Sequence, residues 1–558
     1  MNRRSLSNVC IAALVLAAGA AAQQTGPSTQ QSSYMVPSDP ASGVIFRSLI
    51  SNGNGNSTPN ELYTRLDPVT NQPIAGQSYR LVGVPDGLGA FNNDDGTFTL
   101  LMNHEIGNAE GIARAAGNTG AFVSRWVING TPGANFMQVV GGRDADNSIN
   151  LYSAGSYTTY NASNPLPTAQ SFSRFCSADL AAPGAYLWTD PVTNTTYGTD
   201  ARILLNGEES GAEGRAMAHI ATGPEAGASY QLPWLGRMSW ENAVASPVAQ
   251  RNTVVIGLDD STPGNLYVYV GERQTTGNAI ERAGLANGNL YAVTMTGTTV
   301  NGSGQNVEDR TNLLGNAGSG PRPSAPFSLL NVPNPQNTTG AQLQLLDSQG
   351  QMNFLRPEDG AFNPARPNQF VFATTDSLTG NSRLWSMDFN SITNPTAGGN
   401  VTLLADGTNT ASLAGGVFSA TGATDIRMMD NLCFSHNGDF ILVQEDVGDN
   451  ARLGRVWLYD LAADRMTEIG IPDASRFLVG GANFLTQDEE TSGIIDAWDL
   501  LGPGWFLLDM QAHYTTGMGG ELVQGGQVMA LYIPQTVPTP GAAALMGLAG
   551  LAVARRRR

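Results

Sequence analysis

Lysine is missing from all 558 residues, so the 29 basic side chains are all arginine. A lysine-type phosphate loop, a Schiff-base enzyme and a pyridoxal enzyme each need a lysine amine, and all three are excluded. Histidine is scarce, with only His104, His219, His436 and His513, which argues against an all-histidine zinc centre. Cysteine occurs three times, as Cys10, Cys176 and Cys433. Charged residues make up 14% of the chain, a low share, and basic ones are in the minority. With 47 acids the net charge is −18, and no basic patch can neutralise a nucleic-acid backbone. There is also no Gly-x-Ser-x-Gly elbow at a strand-to-helix turn, so a triad hydrolase is a poor reading. His219 lies in a Gly/Ala-rich segment with no evident partner, and His104 and His513 fit either the site or a structural role at strand ends.

What is present points to a turn-rich globular protein. Hydrophobic residues reach 41%, enough for a sizeable core, and glycine (66) and proline (30) are plentiful. At about 150 residues per domain the length suggests three or four units, but large all-β domains run longer as one piece. The acidic excess favours hard cations, which take oxygen ligands.

The two ends read as address labels. Residues 1–22 carry Arg3 and Arg4, an apolar run from Ile11 to Ala18, and Ala20-Ala21-Ala22 before Gln23. This is the pattern of a signal peptide, and it predicts export. At the other end, Val537-Pro538-Thr539-Pro540 precedes an apolar run, 541–554, and then Arg555 to Arg558. The run is short against the roughly 20 residues of a span. Residues 537–558 resemble a PEP-CTERM sorting tail, with Val-Pro-Thr-Pro near the usual Pro-Glu-Pro but without its glutamate. The resemblance implies an exosortase-type processing enzyme, transient membrane anchoring through the tail alone, and delivery to the envelope or outside. Removal of both ends leaves 23 arginines against 47 acids. Cys10 would leave with the signal, and Cys176 and Cys433 could then pair in an oxidising compartment.

One pattern recurs between the ends: an acid, a short apolar strand, an Asn/Pro/Gly turn, and a second apolar strand ending in acid. It appears at 86–105, 241–260, 358–376 and 430–446, with the two acids 16 to 19 residues apart. Strands 202–209 and 505–509 end similarly, and third strands follow at 265–270, 382–387 and 454–459. About six repeats of three or four short strands predict a β-propeller. The expected boundaries are a lead-in at 23–79 and a propeller over 80–536. Residues 51–60, 301–340 and 390–425 are expected to be long loop insertions. In a propeller the inner strands of every blade point at one axial mouth, so acids at equivalent strand ends converge there. Carboxylates that close repel unless cations separate them, which predicts a shared metal site.

Calcium best suits clustered Asp, Glu and Asn oxygens. The metal-ligand candidates are Glu105, Glu209, Glu241, Asp260, Glu358, Asp430 and Glu445, with Asp259 and Asp446 beside them. Neighbouring acids such as Glu208 and Glu209 alternate in direction along a strand, so one of each pair braces. Cys176 is a buried apolar residue, half of a disulfide or a soft metal ligand; Cys433 aligns with Ala361 and fits a packed core thiol.

Several stretches resemble the PhoX-type alkaline phosphatases, in order along the chain: Asn103-His104-Glu105, Cys176 with Glu208-Glu209, Gly236-Arg237-Met238-Ser239-Trp240-Glu241, Arg356-Pro357-Glu358-Asp359-Gly360, and Asp430-Asn431 through Glu445-Asp446. The run from Glu490 to Asp496 and on to His513-Tyr514 is similar too, so the resemblance spans about 80–515. It implies a propeller whose mouth holds calcium and iron and hydrolyses phosphate monoesters. Carried over by position, Cys176, Glu209 and Glu358 would lie on the iron side, and Glu105, Glu241, Asp430 and Glu445 mainly on the calcium side. Arg237 or Arg356 would clamp phosphate or pair with neighbouring acids. Trp240 stands where the family has histidine and can neither bind metal nor transfer a proton; it is expected as a wall of the mouth. The alternative is a calcium-stabilised propeller that binds envelope or matrix components without catalysis.

Overall fold

A computed structural model of the chain describes residues 23–53, 61–309, 323–407 and 426–534. The expected signal peptide and sorting tail lie outside these residues, as do parts of the expected loops. No helix among the described residues is long and apolar enough to cross a membrane.

The described chain is a six-bladed β-propeller, as the repeat predicts. The first blade runs outward from Pro85–Asn92 through Thr97–His104 and Phe122–Asn129 to Val139–Asp144. The third runs from Trp240–Ala245 through Asn252–Asp259 and Leu266–Glu272 to Asn289–Met295. The fourth runs from Pro357–Asn363 through Arg366–Thr374 and Arg383–Phe389 to Gly399–Asp406. The fifth starts at Met429–Phe434 and the sixth at Asp488–Asp496. These strands are rich in β-branched and aromatic residues and bounded by turn residues, which is why the spacing was readable.

The second blade differs at its inner edge. Its regular strands are Ile203–Gly207, Ala216–Ile220 and Ala228–Gln231, joined by Ser148–Ser153 and Ser156–Asn161. The innermost place belongs to an irregular segment, 175–179, bridged through Phe175 to Glu208 and through Asp179 to Leu205. Gly87 and Gly89 of the first blade let it approach closely. A Cβ at Gly87 would lie 2.3 Å from the Ala178 amide nitrogen.

The lead-in is woven into the ring. Tyr63–Leu66 and Pro73–Tyr79 extend the first blade outward, Met35–Pro37 extends the fifth, and Ile45–Ser51 pairs with Gly525–Tyr532 in the sixth. One blade therefore joins strands from both ends of the described chain, so the ring is closed by hydrogen bonds. Part of the loop expected at 301–340 is a strand, Ser324–Val332, which bridges the outer edges of the third and fourth blades. Its alternation is hidden behind two prolines and a run of polar residues.

One backbone hydrogen bond repeats in all six blades and defines their equivalence. The amide at the end of each second strand donates to a carbonyl two residues before a fixed position on the inner strand. The pairs are Glu105 to Val84, Glu209 to Arg174, Asp260 to Ser239, Thr375 to Arg356, Asp446 to Met428 and His513 to Asp488, at 2.8 to 3.0 Å. In four of the six, the accepting residue (Val84, Arg174, Arg356 or Met428) is left-handed, with φ between 52° and 57°. Non-glycine residues adopt this conformation only at a cost. Here it turns the chain sharply into the start of the inner strand.

Candidate metal centre

The fixed inner position is occupied, blade by blade, by Asp86, Cys176, Glu241, Glu358, Asp430 and Glu490. The propeller therefore builds a ring of five carboxyl groups and one thiol at one axial end. Its members are all buried. Just above it, the second-strand ends supply Glu105, Glu209, Asp260 and Asp446, with Thr375 and His513 completing the set.

Three overlapping groups in these rings have ligand atoms within 4.8 Å of one another. They are Asp86, Glu105 and Cys176; Cys176, Glu209 and Glu241; and Glu241, Glu358 and Asp430. Cys176 joins the first to the second and Glu241 the second to the third. Burial raises the pKa of Asp86, Glu209, Glu241, Glu358, Asp430 and Glu490 well above the ordinary carboxylate range, and neighbouring carboxylates push the same way. The Cys176 thiol is raised by burial, then by Asp86 and Glu241. Buried acids so close together call for protons or cations.

The donor set fits cations. Asp430 Oδ1 and Glu358 Oε1 are buried and have no hydrogen-bond partner among the described residues. Glu358 Oε1 is 3.1 Å from Arg356 Nη2, a charge contact without hydrogen-bond geometry. Oxygen-rich groups suit hard cations, and a thiolate adds affinity for a transition metal.

The structure separates the two members of each acid pair. Glu208 turns away to Arg215, while Glu209 faces the cluster. Asp359 accepts from Asn242 Nδ2 at 2.6 Å and from the Leu432 amide at 3.1 Å, tying three blades together. Glu445 is placed outside the cluster. It pairs across the strand with Met429 and bonds Arg452 at 2.7 Å and the Trp457 indole at 2.9 Å, while Asp446 takes the axial position. Asp260 sits at the ring but is held bidentately by Arg356 at 2.7 and 2.9 Å. Arg237 lies apart from the ligand groups, 3.9 Å from Glu213, with 38% of its side chain exposed.

A polar scaffold fixes Cys176. Asn103 Nδ2 donates to the Cys176 carbonyl at 2.6 Å, and Asn206 Nδ2 donates to Asn103 Oδ1 at 2.8 Å. Asn206 Oδ1 lies 2.9 Å from His219, whose other ring nitrogen is 2.7 Å from Asp146. His219 thus has partners that no local pattern revealed, since one comes from the neighbouring strand and the other from the turn between Val139–Asp144 and Ser148–Ser153. His104 is buried between the Gly83 carbonyl and Ser124 and stacked on Phe122, and burial pushes it down to about 3. Cys176 and Cys433 are both free thiols, with Cys433 in a hydrophobic core.

Trp240 does not line the mouth. Its neighbour Glu241 sits at a register shift between this strand and the next, and the indole itself packs into a core with Leu235, Val255, Tyr267 and Tyr269. Gly207 makes room for it; a Cβ there would lie 2.4 Å from the indole. A histidine at this position would face the same core. Trp240→His is therefore expected to cost roughly 3 kcal/mol of stability through lost packing and a buried polar ring. Denaturant unfolding measures the loss, and elemental analysis should show no metal gained.

Asp86, Glu490 and Arg174 were missed as site residues. Asp86 opens the first repeat, and its alignment with Glu241, Glu358 and Asp430 was a usable signal. Glu490 lies where the repeat is interrupted, and Arg174 precedes Cys176 as Arg356 precedes Glu358, a spacing that the acidic pattern alone does not display.

Comparison with known proteins agrees with this architecture. The family model described as Alkaline phosphatase PhoX matches residues 224–464, which contain Glu241, Arg356, Glu358, Asp430 and Asp446. No curated protein matches the chain. Among solved structures, Pseudomonas fluorescens PhoX in complex with vanadate, a transition state analogue, is 14% identical, with a TM-score of 0.56 over 88% of this chain and 95% of that one. At that identity the likeness bears on the fold, which is a β-propeller. The Pseudomonas aeruginosa periplasmic gluconolactonase PpgL is 11% identical with a TM-score of 0.29, covering 74% of this chain and 95% of that one. Sqt1 of Chaetomium thermophilum bound to the N-terminus of the ribosomal protein L10 is 9% identical with a TM-score of 0.32, covering 81% and 97%. The resemblance to the PhoX family read from the sequence is thus met by a family match and by the fold.

Proposed function

We propose that the chain is an exported, metal-dependent phosphatase of the PhoX type that hydrolyses phosphate monoesters at the axial ring. The observation that carries this reading is the joining of three ligand groups through Cys176 and Glu241 at one end of the propeller. Calcium is proposed for the one all-carboxylate group, Glu241, Glu358 and Asp430, and iron beside Cys176. Such ions, when bound, polarise phosphoryl oxygens and neutralise charge during in-line displacement.

The chain's own residues do the rest. Arg356 is oriented by Asp260 and Glu358 and remains 25% exposed at the mouth, placed to hold a phosphoryl oxygen. Asn103, Asn206 and Ser177 fix the backbone and side chains behind Cys176 and Glu241; the Ser177 hydroxyl donates to Glu241 Oε1 at 2.5 Å. The core behind the inner strands keeps the carboxylates from water on one side, which strengthens their hold on cations. Export by residues 1–22 and processing of 537–558 by an exosortase-type enzyme belong to the same proposal.

The test is elemental analysis and p-nitrophenyl phosphate hydrolysis on residues 23–536 exported to the periplasm and purified without chelator. Iron with calcium and measurable hydrolysis, with iron lost in Cys176→Ala, is the expected result. Calcium alone without hydrolysis would leave a calcium-braced binding propeller and overturn the phosphatase reading.

A further inference from the structure

Arg174 stands in the acidic mouth at the same blade position as Arg356, two residues before the ring residue. Both are left-handed, with φ of 52° and 57°. Each bonds the second-strand carboxylate of the preceding blade: Arg174 Nε to Glu105 Oε1 at 2.8 Å, and Arg356 Nε to Asp260 Oδ1 at 2.7 Å. Each also reaches an acid of its own blade, Glu209 for Arg174 and Glu358 for Arg356. The third blade, with Glu241, lies between them. Glu209 is within electrostatic reach of both guanidinium groups.

The two arginines differ in what they leave open. Half of the Arg174 side chain is exposed, against a quarter for Arg356. Its Nε and Nη2 are committed to Glu105 and Glu209, while Nη1 has no partner among the described residues. A guanidinium serving only as a counter-ion would gain most by burying both edges of its fork. This one is held rigid along one side and presents the other to the mouth. Once cations neutralise Glu105 and Glu209, its charge is available to a further anion. A fork pre-oriented by two carboxylates binds a planar or tetrahedral oxyanion at little entropic cost.

We propose that Arg174 is a second phosphate-holding arginine, gripping the dianionic phosphoryl group of a monoester from a second side, two blades away from Arg356. The inference rests on the phosphatase reading and names its substrate clamp. It involves no bond change; the arginine binds and orients.

The test uses the metal-loaded chain with Arg174→Gln and Arg174→Lys. Inorganic phosphate binding is measured by calorimetry, KM and kcat with p-nitrophenyl phosphate, and metal content by elemental analysis. Arg174→Gln should weaken phosphate binding roughly tenfold to a hundredfold, as expected for loss of a charge-assisted contact, and raise KM in step. Arg174→Lys should recover part of the loss, and metal content should not change in either. Phosphate affinity within about twofold of the parent protein, with parental metal content, would overturn the clamp and leave the phosphatase reading standing. A change in metal content with no separate effect on phosphate would assign Arg174 as a counter-ion and overturn it too. Failure of the parent protein both to bind phosphate and to hydrolyse the ester would overturn the phosphatase reading and the clamp with it.

Discussion

Glu241→Gln is expected to strip metal from two of the three ligand groups and to lower kcat by about a thousandfold or more. Glu241 is the shared member of the second and third groups, so its loss cannot be absorbed by one neighbour. Its side chain is fully enclosed, with the Ser177 hydroxyl as a supporting donor. Glutamine keeps the shape and one acceptor oxygen while removing the charge that holds the cation. Glu445→Gln makes the informative contrast. Glu445 is as buried as Glu241, but its partners are Arg452, Arg455 and Trp457. Breaking that buried set should cost about 3 kcal/mol of stability and leave metal content intact. Elemental analysis and steady-state kinetics read the first variant; denaturant unfolding reads the second. Equal metal content in Glu241→Gln and the parent protein would contradict the shared-ligand arrangement.

Metal removal should reverse the pH dependence of stability. In the metal-free protein the ring carboxyls have folded pKa values raised by burial above their unfolded values near 4. A raised carboxyl pKa means that the folded state binds more protons than the unfolded one between those limits. Its stabilising contribution is complete below about pH 4 and is lost as pH rises toward the folded values. Each net proton involved removes about 1.4 kcal/mol per pH unit, so several coupled groups make the effect large. The metal-free chain should therefore melt at lower temperature at pH 8 than at pH 5. With metals bound the sign reverses, because protons compete with cations for the same oxygens and acid releases them. Thermal unfolding at both pH values, with and without chelator, measures this. A chelated protein more stable at pH 8 than at pH 5 would show that the ring is not the dominant titrating element.

Much of this site was legible as a repeat. The first, third, fourth and fifth blades carry an acid at the start of the inner strand and another near the end of the second, and the second strand is a mainly apolar run in each. Those are the blades whose spacing the sequence displays. The second blade was read only in part, because its inner strand is replaced by 175–179, separated by long connections from Ile203–Gly207. The sixth was obscured differently: Glu490 is followed by Thr491, Ser492 and Gly493, which read as a turn although they form a strand. Choosing between neighbouring acids needed the register. Glu445 and Asp446 are indistinguishable as letters, yet one bonds an arginine pair and the other faces the axis. The placement of Trp240 in the core beside Tyr267 and Tyr269 was likewise hidden, because the register shifts at Glu241. Partners distant in sequence, such as Asp146 and Asn206 on His219, followed only from the assembled blades.

The central claim is that the inner-strand ring is one polynuclear metal centre. Anomalous diffraction from crystals of the chelator-free protein, recorded above and below the iron edge and at long wavelength for calcium, tests it most directly. The account predicts at least two ions, one bonded to Cys176 and one between Glu241, Glu358 and Asp430. A ring without ions in a folded, chelator-free crystal, its carboxyls bridged only by water and Arg174 and Arg356, would contradict it.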